Sequence, residues 1–197
     1  MKELHLDPEL FADLVHATSD ALGIPVQLIE KDYYISTVLR LLSMSAYAPQ
    51  IVFKGGTSLS KAYQLINRFS EDVDFAVISE QMSGNQVKTL LSHLMKEVTA
   101  GLVEDKEFPD ISKGSKYRKQ AFHYDAKIEL DPITNPIPAR IIVEISAFAN
   151  PFPNEKRVIE PFVTTFLKSQ GMNDFITEYH LDPFELNVLS LKQTLCE

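Results

Sequence analysis

The chain has 197 residues with an ordinary globular balance, 45% hydrophobic and 23% charged, so it can bury a core. The net charge of −8 argues against a broad nucleic-acid-binding surface, and the single cysteine, Cys196, excludes an internal disulfide and a cysteine-based metal cluster. The sequence shows no signal peptide. It also has no apolar run that approaches the roughly 18 residues of a membrane span. We therefore expect a cytoplasmic protein without membrane contact.

Two helices are predicted at the N-terminus. Apolar residues at helical spacing predict the first over residues 8–22, and Gly23-Ile24-Pro25 ends it. A wide apolar stripe predicts the second over residues 25–44. This helix contains a charged patch, Glu30-Lys31-Asp32-Tyr33. The patch either packs as buried ion pairs against the rest of the protein or places Lys31 or Tyr33 on a ligand.

Strands and helices alternate in the next segment. The apolar, β-prone residues 51–53 predict a buried strand that Gly55-Gly56 ends. Thr57 is expected to be the N-cap of a helix that runs to about residue 67. Alternation predicts a second strand over residues 72–78, beside the first, and an amphipathic helix is expected over residues 83–101.

The remainder is less regular. Residues 117–130 alternate weakly and could form a strand or hairpin arm, and residues 131–138 form a proline-rich turn. Residues 140–148 give the clearest strand, with three isoleucine and valine positions on the face opposite Glu144. The element order predicts an α+β or α/β fold in which a small mixed sheet is flanked by helices.

A possible phosphate-binding turn lies at Lys54-Gly55-Gly56-Thr57-Ser58. Glycines let the backbone approach a ligand closely, and the following helix N-terminus offers free N–H groups and a positive dipole end. Taken alone the pattern is weak evidence, because Gly-Gly is also common in ordinary tight turns.

Asp72 and Asp74 strengthen the case. Two residues apart on a strand, their carboxylates point to one face and repel each other unless a cation lies between them. Such oxygen pairs suit Mg²⁺, which binds a few carboxylates together with substrate phosphates. The alternative is a solvated strand face, although aspartate is depleted in strands.

These residues resemble the AbiEii/AbiGii toxin-like nucleotidyltransferases of the DNA-polymerase-β-like superfamily. The resemblance covers roughly residues 25–80 and rests on FKGGTSL at 53–59, Tyr63, RFSEDVDF at 68–75 and EKDYY at 30–34. It implies a polymerase-β-like nucleotidyltransferase core preceded by a helical segment, residues 1–48.

The resemblance also implies roles for individual residues. Gly55, Gly56, Thr57 and Ser58 would hold a nucleoside triphosphate, and Asp72 and Asp74 would bind Mg²⁺ or Mn²⁺. The superfamily has a third carboxylate on a later strand, for which Glu144 is the candidate; the alternative is an exposed glutamate.

Basic residues flank the turn. Lys54, Lys61 and Arg68 are candidates to neutralise phosphate charge, against the alternative of ion pairs with Glu71 or Asp72. Residues 113–124 combine lysine and arginine with tyrosine, a pattern that can bind single-stranded nucleic acid but is also typical of a solvated loop.

One domain is expected, with residues 49–183 as the catalytic core and residues 184–197 opening a C-terminal helical lobe that related chains continue. The chain would then be a fragment or a shortened protein, with exposed apolar surface where that lobe packs and a tendency to self-associate.

The leading interpretation is transfer of a nucleotide from a nucleoside triphosphate to tRNA or a protein, by the toxin of a toxin–antitoxin or phage-defence pair whose partner is an antitoxin protein. Two alternatives remain open: a small-molecule, antibiotic-type nucleotidyltransferase, and a truncated, catalytically impaired nucleotide-binding or regulatory module.

Overall fold

The computed structural model of the chain describes residues 2–65, 71–128 and 137–196. A short 3₁₀ turn, Leu4–Leu6, precedes helices α1 (Pro8–Leu22) and α2 (Val26–Met44). The Asp7 carboxylate caps α1 by accepting a hydrogen bond from the Leu10 N–H, and Gly23, with φ of 66°, ends it in the left-handed conformation. Both predicted N-terminal helices are therefore confirmed.

Helix α2 is the central helix of the molecule. Its apolar positions from Ile29 to Leu42 are buried, but so are the charged residues Glu30, Lys31 and Asp32. A helix that is buried on most sides needs partners for such charges, because an unpaired buried charge is costly.

The strands and remaining helices follow in chain order. The strands are β1 (Ile51–Lys54), β2 (Asp72–Val77), β3 (Val103–Glu104), β4 (Ser112–Lys113), β5 (Tyr117–His123), β6 (Arg140–Ser146), β7 (Asn154–Ile159) and β8 (Phe184–Leu189). The helices are α3 (Gly55–Lys61), α4 (Gly84–Val98), α5 (Phe162–Ser169), α6 (Asn173–Glu178) and α7 (Leu191–Thr194).

Within the described residues the eight strands form one mixed sheet in the order β3-β5-β6-β2-β1-β8-β7, with β4 paired to β5. Strands β2 and β6 are parallel, as are β1 and β8, and the other neighbouring pairs are antiparallel. The first two predicted strands were expected to lie side by side, and this is confirmed because β1 pairs directly with β2.

The sheet has one core face and one more open face. Val73, Phe75 and Val77 of β2 and the alternating Ile141 and Val143 of β6 are buried in the hydrophobic core. Helix α2 packs against β6 and β8, and α4 also packs against β6. Because strand side chains alternate, the residues between these positions emerge on the opposite face.

Three sequence expectations differ from the structure. Helix α3 begins at Gly55 with Lys54 as N-cap, so Thr57 lies inside the helix, and α3 ends at Lys61. The C-terminal third, expected to be less regular, contains the regular elements β7, α5, α6 and β8. Residues 184–189, expected to open a helical lobe, instead form β8 in the central sheet, and the helical part is α7.

Other expectations agree with the structure. Helix α4 has the expected position, with a capping box formed by Ser83 and Gln86. The predicted turn at residues 131–138 lies largely outside the described residues. Among the helices of the described segments, none combines the length and apolarity needed to cross a membrane.

Candidate active site

A row of four charged residues crosses the centre of the sheet. Lys54 on β1 is the register partner of Asp74 on β2, Asp74 is the partner of Glu144 on β6, and Glu144 is the partner of Lys119 on β5. Directly paired residues project their side chains to the same face of a sheet. The open face therefore carries two carboxylates flanked by two lysines on four adjacent strands.

Asp74 lies inside this row, and Asp72 lies two residues before it on β2. They alternate with the buried Val73 and Phe75, so their carboxylates emerge on the open face, as expected. Burial, reinforced by the negative charges of Glu144 and Asp72, raises the pKa of Asp74 to about 7. Burial also raises the pKa of Asp72. The site holds more negative charge than it can easily ionise without a cation.

Gly55 is shaped to fit against Asp74. Its φ is 74°, a conformation that side chains rarely adopt, and a Cβ atom here would lie 2.9 Å from the Asp74 Cγ and closer still to Oδ2. The turn after β1 therefore passes directly over one of the carboxylates. Position 55 requires glycine both for its backbone conformation and for this close approach.

Glu144 is held by two neighbours on β5. Its Oε1 lies 2.6 Å from the Lys119 Nζ, and its Oε2 accepts a 2.7 Å hydrogen bond from the Tyr117 hydroxyl. The bond to Glu144 raises the pKa of Lys119, which stays charged. Burial and the same carboxylate raise the pKa of Tyr117, so its hydroxyl stays protonated and donates.

Several of these residues line a cleft of about 360 Å³. Lys54, Gly55, Asp74 and Glu144 form its charged part, and the remaining lining residues are Phe75, Tyr117, Ser146 and Phe148. A cleft that joins paired carboxylates, a lysine and a glycine turn is suited to a ligand that carries both phosphates and metal ions.

The relationship of this chain to a known protein family is shown by a match to a family model. The model for the AbiEii nucleotidyl transferase toxin of type IV toxin–antitoxin systems matches residues 37–197. The chain belongs to the AbiEii family. A search of curated proteins gave no match.

The fold of this AbiEii-family chain is also found in a solved structure. MenT4, a nucleotidyltransferase toxin from Mycobacterium tuberculosis H37Rv, matches with a TM-score of 0.56 and 18% sequence identity. The match covers 91% of this chain and 56% of that one, so this chain spans just over half the length of that structure. At this identity the likeness concerns the fold, and it confirms the expected α+β nucleotidyltransferase core.

The two hydroxyl residues of the glycine turn face inward. Thr57 is 3% exposed, and its Oγ1 donates to the backbone carbonyl of Asp72; Ser58 is fully buried, and its Oγ donates to the Gly55 carbonyl at 2.7 Å. Both side chains are used to shape the turn and to tie α3 to the start of β2. The accessible part of the turn is Lys54, Gly55 and the exposed Gly56.

Lys61 is not brought into the cleft. Its Nζ lies 2.6 Å from the Asp32 Oδ1 of α2 and donates at 3.0 Å to the Glu160 carbonyl, with both side chains almost fully buried. Helix α3 turns Lys61 toward the helical core, away from the position expected for a residue that contacts the nucleotide. Arg68, also expected near the phosphates, lies outside the described residues.

The charged patch of α2 ties several elements to the site. Lys31, 1% exposed, places its Nζ 3.4 Å from the Glu71 Oε1, and the Arg140 Nη2 lies 3.3 Å from the other Glu71 oxygen. Burial lowers the pKa of Lys31. Glu30 accepts a 2.6 Å hydrogen bond from the Lys127 N–H. Through Lys31 the patch binds Glu71, the residue next to Asp72. This contact favours the interpretation that the patch packs as buried ion pairs.

Residues 113–124 are mostly sheet. Lys113 lies on β4 and pairs with Glu104 at 2.7 Å, and His123 at the end of β5 lies 3.2 Å from Asp105. These partners are typical of a solvated sheet surface. Lys119 and Tyr117 are the exceptions, since both reach Glu144.

The open face of the sheet offers oxygen ligands of the kind that a divalent metal needs. Asp72, Asp74 and Glu144 offer oxygen ligands on one face. Burial is the main cause of the raised pKa of Asp74, and the negative charges of Glu144 and Asp72 add to it. Within the described residues, however, no three histidine, cysteine or acidic side chains are grouped to hold one ion. Asp72 and Asp74 project to one face of β2, so their oxygens would be the first ligands of a cation, whereas Glu144 would have to exchange its bond to Lys119.

Sequence reasoning missed Lys119 and Tyr117 as members of the site. Both lie in the basic segment that the sequence singled out, but neither was connected with Glu144. The usable signal was alternation: Tyr117 and Lys119 are two residues apart on a strand, so they share a face, as Asp72 and Asp74 do.

Proposed function

We propose that this chain carries the active site of a metal-dependent nucleotidyltransferase, which transfers a nucleotide from a nucleoside triphosphate to an acceptor, tRNA or a protein. The observation that carries the proposal is the row Lys54–Asp74–Glu144–Lys119 across four strands. In this row two carboxylates, which we propose as metal ligands, lie between two lysines and beside the glycine turn.

Each residue then has a role in the reaction. Asp72, Asp74 and Glu144 would hold Mg²⁺ or Mn²⁺, which supplies charge stabilisation to the attacking and leaving oxygens. Lys54, with the backbone of Gly55 and Gly56, would bind the triphosphate. Thr57 and Ser58 support that backbone from behind.

The chemistry is a single displacement. The acceptor oxygen forms a bond to the α-phosphorus, the bond from that phosphorus to the bridging oxygen breaks, and pyrophosphate leaves. A carboxylate of the site takes the proton of the acceptor hydroxyl. Lys119, once exchanged from Glu144, would be a charged donor beside the phosphates.

The biological role follows from family membership. As an AbiEii toxin the protein would act in the cytoplasm, where nucleoside triphosphates and tRNA are present, and a cognate antitoxin protein would restrain it.

The test is direct. Purified protein is incubated with each α-³²P-labelled nucleoside triphosphate, total tRNA or a protein extract, and Mg²⁺ or Mn²⁺. Label should enter one acceptor class, disappear in EDTA, and fall at least about a hundredfold in Asp74→Asn. Transfer that survives Asp74→Asn would contradict the metal-site assignment. Absence of transfer together with absence of metal-dependent nucleotide binding would contradict the proposed function.

A further inference from the structure

Phe148 is an exposed aromatic residue at the wall of the catalytic cleft. It is 71% exposed, yet it lines the cleft together with Lys54, Asp74 and Glu144. Single exposed apolar residues are ordinary on protein surfaces. An exposed aromatic ring beside the charged residues of a cleft requires a further explanation.

The ring of Phe148 lies nearly parallel to a second ring. The centroids of Phe148 and Tyr117 are 6.1 Å apart with an interplanar angle of 23°, an offset stacked arrangement. The chain holds the pair together, since the Ala147 N–H donates to the Lys116 carbonyl at 2.8 Å and Tyr117 is the register partner of Ser146. The inner ring is thus supported by the sheet and the outer ring faces solvent.

The inner ring is also fixed to the Glu144 carboxylate. The Tyr117 hydroxyl donates to the Glu144 Oε2 at 2.7 Å, so the phenol bridges the interval between the charged row and Phe148. The cleft therefore has a charged end, with Lys54, Gly55 and Asp74, and an aromatic end. A nucleotide has the same polarity, because a ribose separates its phosphates from a flat base.

On these grounds we propose that Phe148, supported by Tyr117, is the stacking platform for a nucleobase in the cleft. The inference rests on the proposed function and adds to it the position of the base. Every base has a π-face, so the platform would hold all four bases with similar strength. The base could belong to the nucleoside triphosphate or to the terminal nucleotide of an RNA acceptor, and the experiment distinguishes the two.

The absence of tryptophan from the chain provides a reporter. Phe148→Trp introduces a single indole at the platform, and a base that stacks on it should quench its fluorescence. The variant is titrated, with Mg²⁺ present, with ATP, CTP, GTP and UTP, with inorganic tripolyphosphate, and separately with tRNA. Leu6→Trp, at a 72% exposed position outside the cleft lining, is the control for absorption by the bases.

Quenching by the nucleotides but not by tripolyphosphate would assign the platform to the substrate base. Quenching by tRNA alone would assign it to the acceptor. In either case Phe148→Ala should weaken binding of that ligand about five- to a hundredfold, Phe148→Leu nearly as much, and Phe148→Tyr little, since base–aromatic stacking is worth about that ratio. Because Phe148 is exposed, these variants should fold as the wild type does.

The inference is overturned if wild-type protein binds nucleotide by calorimetry, while neither ligand changes the Phe148→Trp fluorescence and Phe148→Ala keeps the wild-type Kd. The proposed function would then stand. If calorimetry detects no binding of any nucleotide or of tRNA to the wild type, both fail.

Discussion

The backbone of Gly55 lies directly against the carboxylate of Asp74, at a φ of 74°. The glycine turn and Asp74 are thus packed as one unit. Gly55→Ala should lower the free energy of unfolding by about 1–3 kcal/mol, because a left-handed alanine is strained and its methyl group displaces Asp74. Nucleotide transfer should fall more than about tenfold, since a misplaced metal ligand weakens transition-state binding.

The neighbouring glycine provides the control for stability. A Cβ at Gly56 would meet nothing within 4 Å, and Gly56 lies in a helical turn. Gly56→Ala should leave the unfolding free energy unchanged or raise it by up to about 1 kcal/mol. Urea unfolding measures the free energy of unfolding of both variants. Equal values would show that position 55 tolerates a side chain.

The raised pKa of Asp74 predicts how metal-free stability depends on pH. An unfolded aspartate titrates near 3.9, whereas Asp74 in the fold titrates at about 7. Between these values the folded state binds the extra proton. This stabilising contribution is complete below about pH 4 and is lost as pH rises through about 7.

Asp74→Asn removes that titration. In EDTA at pH 8 the variant should be more stable than the wild type by roughly 1–3 kcal/mol, a value discounted for partial exposure of the site. The difference should shrink toward zero near pH 4, and added Mg²⁺ should stabilise only the wild type. Asp20→Asn, on the exposed face of α1, is the control. A difference that is constant across pH would contradict the linkage.

Much of the fold and of the candidate site could be predicted, because strand alternation and helix ends depend on residues close together in the sequence. Asp72 and Asp74 share a face through the two-residue period of a strand, and the boundaries of α1 follow from Asp7 and Gly23. Glu144 is a candidate because the family resemblance implies a third carboxylate on a later strand, and its alternation with buried neighbours fits that position.

The partners across the sheet could not be predicted in this way. Lys119 meets Glu144 only because β5 pairs with β6 in one particular register, and that register depends on packing of the whole sheet. Strand β8 was missed for a related reason: it is the parallel neighbour of β1, which lies far away in the chain.

Lys119 and Glu144 give a third prediction. Glu144→Gln removes a negative charge and should reduce transfer at least about a hundredfold while raising the Mg²⁺ concentration needed. Lys119→Met should reduce transfer about tenfold or more, because a charged donor beside the phosphates is lost. Steady-state kinetics across a Mg²⁺ titration separate the two effects.

A matched lysine lies on the same part of the sheet. Lys113 pairs with Glu104 at 2.7 Å and its side chain is 51% exposed. Lys113→Met should leave both transfer and metal dependence near wild type. If it were as damaging as Lys119→Met, a general effect of surface charge would explain the loss, and the role assigned to Lys119 would be wrong.

The last prediction concerns Lys61, which the sequence suggests as a phosphate-binding residue and which the structure places in a buried ion pair. The Asp32 carboxylate accepts from the Lys61 ammonium at 2.6 Å and from the Phe162 N–H at 2.9 Å, so one buried pair joins α2, α3 and α5. Lys61→Met leaves the Asp32 charge buried without its cation and should cost about 3–5 kcal/mol of stability. The double variant Asp32→Asn/Lys61→Met should recover most of this loss, since an asparagine oxygen still accepts from Phe162. Nucleotide affinity of the folded double variant, measured by calorimetry, should stay within about twofold of wild type, because Lys61 points away from the cleft. A large loss of affinity in a fully stable double variant would instead return Lys61 to the phosphate site.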